Sequence, residues 1–381
     1  MTVLTGARVV VPEGVLDPGW VQVEGERVAA VGPGRPPADA GAGTDLGGAW
    51  LLPGFVDLHV HGGDGGRIDE SAKGLATSVA FHRRHGTTRT LASVVTAPVE
   101  QMAAAAGWIA DAVEAGPTED GHVVGCHFEG PFLSALRCGA QDTDAMIDPD
   151  PAVWRRLVDA GRGTVRMMTI APELSGGVDL VRTVAADGVI PAIGHTDAHY
   201  EDAEAAIRAG ARVLTHTFNG MRGLHHRDPG AVAAAVDGGL VCEAINDGMH
   251  LHDAALRLLA RLVGDRLCLV TDAMAAAGVG DGEYDLGSKR VTVTDGKAVL
   301  AGGGSIAGST LTMGHAVRRA VHDVGLPIEA AARAAATTPA RVLGGADRFG
   351  AIVAGLDADL VVLDDDLGVD RVMALGRWSP R

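Results

Sequence analysis

The sequence predicts an α/β protein: a (β/α)8 TIM-like barrel with a small β-sandwich domain built from both chain termini. Three observations predict it. Eight apolar, β-branched runs recur through the middle of the chain, alternating with helical stretches. Both ends of the chain instead alternate apolar and polar residues between Pro, Gly and Asp turns. At 381 residues the chain has room for one large α/β domain and an accessory unit.

The N-terminal stretch ARVVVPEGVLDPGWVQVEGERVAAVGPG has the period of two expected of short strands, with turn residues between them. The C-terminal stretch FGAIVAGLDADLVVLDDDLGVDRVMALGRW reads the same way. Neither half could bury a face alone, so residues 1–53 and 345–381 are expected to form one sheet domain around a barrel over 54–344. The barrel strands are expected in LLPGFVDLHV, TRTLASVV, HVVGCHFE, TVRMMTI, GVIPAIGH, ARVLTH, LVCEAI and RLCLVTD. Helices such as LATSVAFHRRHG and YEDAEAAIRAG lie between them. After the eighth run, KRVTVTDGKAVLAGG predicts a hairpin turning at Asp295-Gly296. MGHAVRRAVHDVG and PIEAAARAAATTPARVLG predict helices.

Charge limits the partners. A formal net charge of −16 argues against nucleic acid and anionic membrane surfaces, so any phosphate must be held by a few local groups. The four cysteines, Cys126, Cys138, Cys242 and Cys268, are scattered and form no CxxC pair. The start MTVLTGARVVVPEG lacks a basic stretch followed by a long apolar one. No run approaches the roughly 18 apolar residues of a membrane span, and a soluble cytoplasmic protein is expected.

A barrel of this kind carries its chemistry at the C-terminal ends of its strands. In GFVDLHVHG, His59 and His61 close the first strand two positions apart, so both rings can face the barrel axis. The third strand ends at Glu129 in HFEGPF, the fifth at His195 in IGHT, the sixth at His216 in LTHTFN and the eighth at Asp272 in LVTDAM. Any one of these alone would ordinarily be a hydrogen-bonded loop anchor. Together they converge on one mouth as a set of metal donors. Histidine with carboxylate suits Zn²⁺ or Fe²⁺, and catalytic zinc keeps an open position for water. The segment THTFNGMRGLHHRDPG adds Arg222, His225, His226 and Arg227, a candidate anion site with a solvated loop as the alternative. Gly62, Gly63, Gly65 and Gly66 follow the histidine pair without the lysine of a P-loop, and read as backbone passing close to the donors.

The motifs PGFVDLHVHG, HFEGPF, IGHTDA, THTFNGM, NDGMH, LVTDA, AGST and GLDADLVVLD resemble the amidohydrolase superfamily and, within it, the family of N-acetylglucosamine-6-phosphate deacetylases. The resemblance runs over essentially the whole chain. Its most specific element is a glutamate in an E-G-P-F setting on the third strand, where many relatives use a modified lysine on the fourth. The resemblance implies that Glu129, His195 and His216 hold a principal divalent metal. His59, His61, a bridging Glu129 and nearby Asp272 would be available to a second, giving one or two ions per subunit. Zinc leads, with Fe, Mn or Co as alternatives. It implies hydrolysis of the acetyl group of N-acetylglucosamine 6-phosphate, with Asp272 as general base then acid and His250 polarising the carbonyl.

Substrate contacts are implied at Asn219, Gly220, His226, Arg227, Gln141 and Gly130, with Arg227 crossing into the neighbouring site of a homodimer. One departure stands out. Twelve residues beyond Glu129, where many members carry a histidine, this chain has Gln141, which hydrogen-bonds but cannot be charged. That bears on sugar preference rather than metal chemistry. Cys138, in the same loop, reads as a small semi-buried thiol. Hydrolysis of another N-acyl amine or a cyclic amide is the alternative activity, and a non-catalytic homologue the third reading.

Overall fold

A computed structural model describes residues 1–41, 43–302 and 304–380. Its centre is an all-parallel sheet of eight strands in sequence order: β1 (Phe55–Val60), β2 (Thr87–Val94), β3 (Val123–Glu129), β4 (Val165–Ile170), β5 (Ile190–Ile193), β6 (Val213–Leu214), β7 (Val241–Ile245) and β8 (Leu267–Val270). Seven fall within a predicted run, and β2 begins one residue before its run, at Thr87. They were legible as unbroken apolar stretches because β1 and β2 are buried along their whole length, on the barrel side and on the helix side alike. The cylinder closes between β8 and β1. Asp272 N donates to His59 O at 2.8 Å, and His61 N to Ala273 O at 2.8 Å.

Helices cover the outside. The first, α1 (Ala72–Arg84), begins where the Ser71 side chain accepts the Gly74 N–H, satisfying one of the donors a helix start leaves free. The main core lies between this helical layer and the strands and includes Phe55, Phe128, Phe132, Trp154 and Leu91, all fully buried. The helix predicted over residues 327–344 forms as two short pieces, Ile328–Ala332 and Thr338–Val342. A widened turn at Arg333–Thr337 joins them, just before Pro339, which has no N–H to continue the ladder.

The two chain ends form one mixed sheet. Trp50–Pro53 pairs antiparallel with Leu360–Leu363, which joins the N-terminal strands to Val369–Ala374 and Arg377–Trp378. This small sandwich closes on its own core, including Leu4, Val9, Val21, Leu51, Leu360 and Met373. The buried Arg89 of β2 reaches Asp359 and Asp357, anchoring the barrel to it.

The predicted hairpin is present: Lys289–Thr294 and Lys297–Leu300 pair across Asp295 and Gly296, whose φ values of 51° and 74° suit a tight two-residue turn. A third strand, Gly282–Leu286, extends it. That strand was not anticipated, because its alternation offers only two apolar positions, the half-buried Tyr284 and Leu286, among otherwise exposed residues. The resulting flap packs on Met274 and Ala276, just beyond β8, beside the barrel mouth.

Candidate active site

Strand geometry places the donors. Two-residue spacing on β1 brings the His59 and His61 rings together, with centroids 5.0 Å apart. His195, His216 and Asp272 lie just past the ends of β5, β6 and β8, with φ values of 45°, 26° and 48°. Left-handed backbone at three non-glycine residues is strain, and it sits where the chain turns out of the strand into the mouth.

Glu129 is the hub. Its Oε1 lies 3.0 Å from His195 Nε2 and 2.9 Å from His216 Nε2. Its Oε2 lies 3.1 Å from His61 Nε2 and 3.4 Å from His59 Nε2. Asp272 Oδ1 stands 3.2 Å from His61 Nε2. Two triads result, His59–His61–Glu129 and Glu129–His195–His216, each with its donor atoms within 4.8 Å of one another and all buried.

The donor chemistry tests whether a cation fits. Within each triad two ring nitrogens face each other: His59 and His61 Nε2 at 3.1 Å, His195 and His216 Nε2 at 3.1 Å. All four Nδ1 atoms meet acceptors: Glu243 Oε2 at 3.2 Å, Ser93 O at 3.2 Å, Arg137 O at 2.9 Å and Asn219 O at 3.1 Å. The outer nitrogens therefore carry the protons and the inner ones turn lone pairs toward Glu129. Lone pairs aimed at one carboxylate, held by outer hydrogen bonds, suit a divalent cation.

Without a cation the same groups attract protons. Burial opposes charge on His61, but hydrogen bonds and charges from Asp272 and Glu129 raise it to about 9. His59 is likewise raised well above its ordinary value against burial, by Glu129 and Asp272. Burial also opposes ionisation of the carboxylates. The His59 charge, with hydrogen bonds from His195 and His216, nevertheless holds Glu129 well below the usual range, and His59 and His61 bring Asp272 to about 2.

Beneath lies a polar layer that the sequence reading did not single out. Asp57, raised to about 6 by burial, accepts N–H bonds from His59 and Thr271. His127 sits between Ser93 Oγ and Thr169 Oγ1, 2.9 Å from each. Glu243 Oε2 takes the His216 main-chain N–H at 3.1 Å as well as the His59 ring. A charged residue inside the apolar run LVCEAI was the available signal for Glu243.

A cavity of about 380 Å³ opens over the donors, lined by His61, Asp272, His250, Gln141, Asn219 and Gly220, among others. His250 Nδ1 bonds Asp247 Oδ2 at 2.7 Å, leaving Nε2 unclaimed by that pair. Gln141 donates to Glu129 Oε2 at 2.6 Å and accepts the Thr96 N–H at 2.8 Å. Arg137, Leu286, Ser305 and Ile306 also line the cavity, and the sequence reading named none of them.

Three expected contacts lie elsewhere. His226 and Arg227 are exposed outside this cavity, with Arg227 Nη1 2.7 Å from His226 Nε2. Gly130 sits under the rim, where a Cβ would come within 1.9 Å of Thr96 Oγ1. The neighbouring Arg222 is tied to Asp197 and Asp228 at 2.6 and 2.7 Å, so the basic cluster is partly neutralised.

The chain matches the Amidohydrolase family over residues 50–379. It is 35% identical to the N-acetylglucosamine-6-phosphate deacetylase of Vibrio furnissii, covering 87% of this chain and 83% of that protein. It is 34% identical to the N-acetylgalactosamine-6-phosphate deacetylase of Escherichia coli O157:H7, covering 99% of each. Among solved structures it resembles an Asp-to-Ala mutant of the Mycobacterium smegmatis N-acetyl-D-glucosamine-6-phosphate deacetylase in complex with N-acetyl-D-glucosamine-6-phosphate. The TM-score is 0.95 and the identity 44%, over 100% of this chain and 99% of that one.

Proposed function

The chain belongs to the amidohydrolase family, and from that premise we propose that it removes the acetyl group of N-acetylglucosamine 6-phosphate, releasing glucosamine 6-phosphate and acetate. The observation that carries this reading is Glu129 with one oxygen toward each histidine pair, facing a cavity shared with Asp272 and His250. Glu129, His195 and His216 would hold the principal cation, and His59, His61 and Asp272 are available to a second. Zinc suits these donors, with Fe, Mn and Co as alternatives. Such a cation supplies Lewis acidity and a source of hydroxide at neutral pH.

The residues supply the rest. Asp272, ionised at neutral pH, accepts the proton of the attacking water and passes it to the departing amine nitrogen. The Asp247 carboxylate, 2.7 Å from His250 Nδ1, orients the ring and leaves Nε2 for the acetyl carbonyl oxygen. Gln141, neutral and fixed by Thr96 and Glu129, offers hydrogen bonds to the sugar without adding charge. Gly130 contributes backbone shape beside Glu129. Asn219 and Gly220 cradle the phosphate end.

His226 and Arg227, exposed and outside their own cavity, complete the site of a second subunit in a homodimer. The four cysteines are free thiols, three of them buried, which supports a cytoplasmic location. No helix among the described residues is long and apolar enough to cross a membrane.

A second reading has its own support: the relative covering 99% of this chain acts, by its name, on the galacto epimer. Metal-quantified protein incubated with each sugar phosphate and with free N-acetylglucosamine should release acetate fastest from N-acetylglucosamine 6-phosphate. Release from none would end the proposal.

A further inference from the structure

We propose that Arg137 is a phosphate-binding residue that this chain supplies to its own cavity, an inference that rests on the deacetylase reading above. A sugar phosphate is dianionic, whereas the chain carries a formal net charge of −16. The long-range field therefore opposes the substrate, and a local cation must hold it. Among the described residues lining the cavity, Arg137 is the one guanidinium, and no lysine joins it.

Its placement suits the task. Arg137 ends the short turn Ala135–Arg137 in the loop after β3. Its carbonyl accepts His195 Nδ1 at 2.9 Å and lies 3.3 Å from where a Cβ on Gly220 would stand. The residue thus abuts both the metal triad and the Asn219–Gly220 backbone. Its Nε and Nη2 both reach Asp197 Oδ1 at 2.7 Å, which orients the planar head and leaves further N–H groups for a ligand. The side chain is held by Asp197 yet 38% exposed, and the residue lines the cavity. Arg227, in contrast, lies outside the cavity of its own subunit. Phosphate preference therefore has a component within the subunit, distinct from any contact across a dimer.

The test compares Arg137→Ala and Arg137→Lys with the parent protein, each metal-quantified, on N-acetylglucosamine 6-phosphate and on free N-acetylglucosamine. The ratio of kcat/KM between phosphorylated and free sugar should fall about tenfold or more in Arg137→Ala, chiefly through KM for the phosphorylated one, and partly recover in Arg137→Lys. Inhibition by inorganic phosphate should weaken in parallel. A ratio kept within about twofold overturns the proposal, because a structural role in the loop would slow both substrates alike. If the parent turns over neither sugar, the deacetylase reading has failed separately. Binding of inorganic phosphate, followed by calorimetry, then decides: loss in Arg137→Ala supports the assignment, and equal binding overturns it.

Discussion

Glu243 and His59 are joined in the barrel interior, and the same Glu243 oxygen holds the main-chain N–H of His216. One fully buried carboxylate thus supports a member of each triad. Replacing it by glutamine keeps an acceptor but removes the charge that fixes the His59 tautomer. Glu243→Gln should weaken metal affinity by about 10–100-fold, measured by competition with a chromogenic chelator. Parent-like affinity would leave Glu243 without this role.

Asp272 is the proposed proton carrier. Asp272→Asn keeps the shape and removes the basicity, so turnover should fall roughly 10²-fold or more at matched metal content. Acetate release at equal metal loading is the measurement. A near-normal rate would transfer the role to another group.

Protons and cation compete at His61. Its value of about 9 in the metal-free protein lies above the ordinary 6.5 of an unfolded chain. Its stabilising contribution is therefore complete below pH 6.5 and lost as pH rises through 9. The metal-free protein should lose thermal stability from pH 7 to 9.5, while the loaded protein should not follow it. Loading at pH 7.5 should release protons, detected as a calorimetric heat that changes with buffer ionisation enthalpy. A buffer-independent heat would contradict this.

The proposed homodimer gives Arg227 to the partner's site. Arg227→Ala should raise KM for the phosphorylated sugar by about tenfold or more. Mixing Arg227→Ala subunits with Asp272→Asn subunits should restore activity, since a mixed dimer regains one site with both residues. Absence of complementation in a proven mixed dimer would place Arg227 outside catalysis.

Gly130 has φ +100°, and a methyl group there would strike Thr96 Oγ1, which itself donates to the Glu129 carbonyl at 2.8 Å. Gly130→Ala should cost about 1–3 kcal/mol in stability. Thermal denaturation checks the first effect, and metal content checks whether Glu129 is displaced. An unaltered melt would show that Thr96 can yield.

The barrel strands were readable because burial on two sides leaves continuous apolar runs, and the donors followed from strand ends. Neighbours in space were harder. Glu243 meets His59 across 184 positions, and nothing in either segment announces the pairing. Arg222 looked like part of a basic cluster until Asp197, from another loop, took its charge. Arg137 sits in an irregular loop, where neither period nor strand end points inward. The strand Gly282–Leu286 has only two half-buried apolar residues, Tyr284 and Leu286, too short an alternation to stand out.

The seam where β8 meets β1 is stitched by His59, His61, Asp272 and Ala273, the segments that also present the donors. Ring closure therefore also completes the His59–His61 side of the cation trap, bringing Asp272 beside it. A nascent chain grown as far as β7 already possesses all four histidines and their outer hydrogen-bond partners, yet it lacks Asp272 and the strand that closes the ring beside His59 and His61.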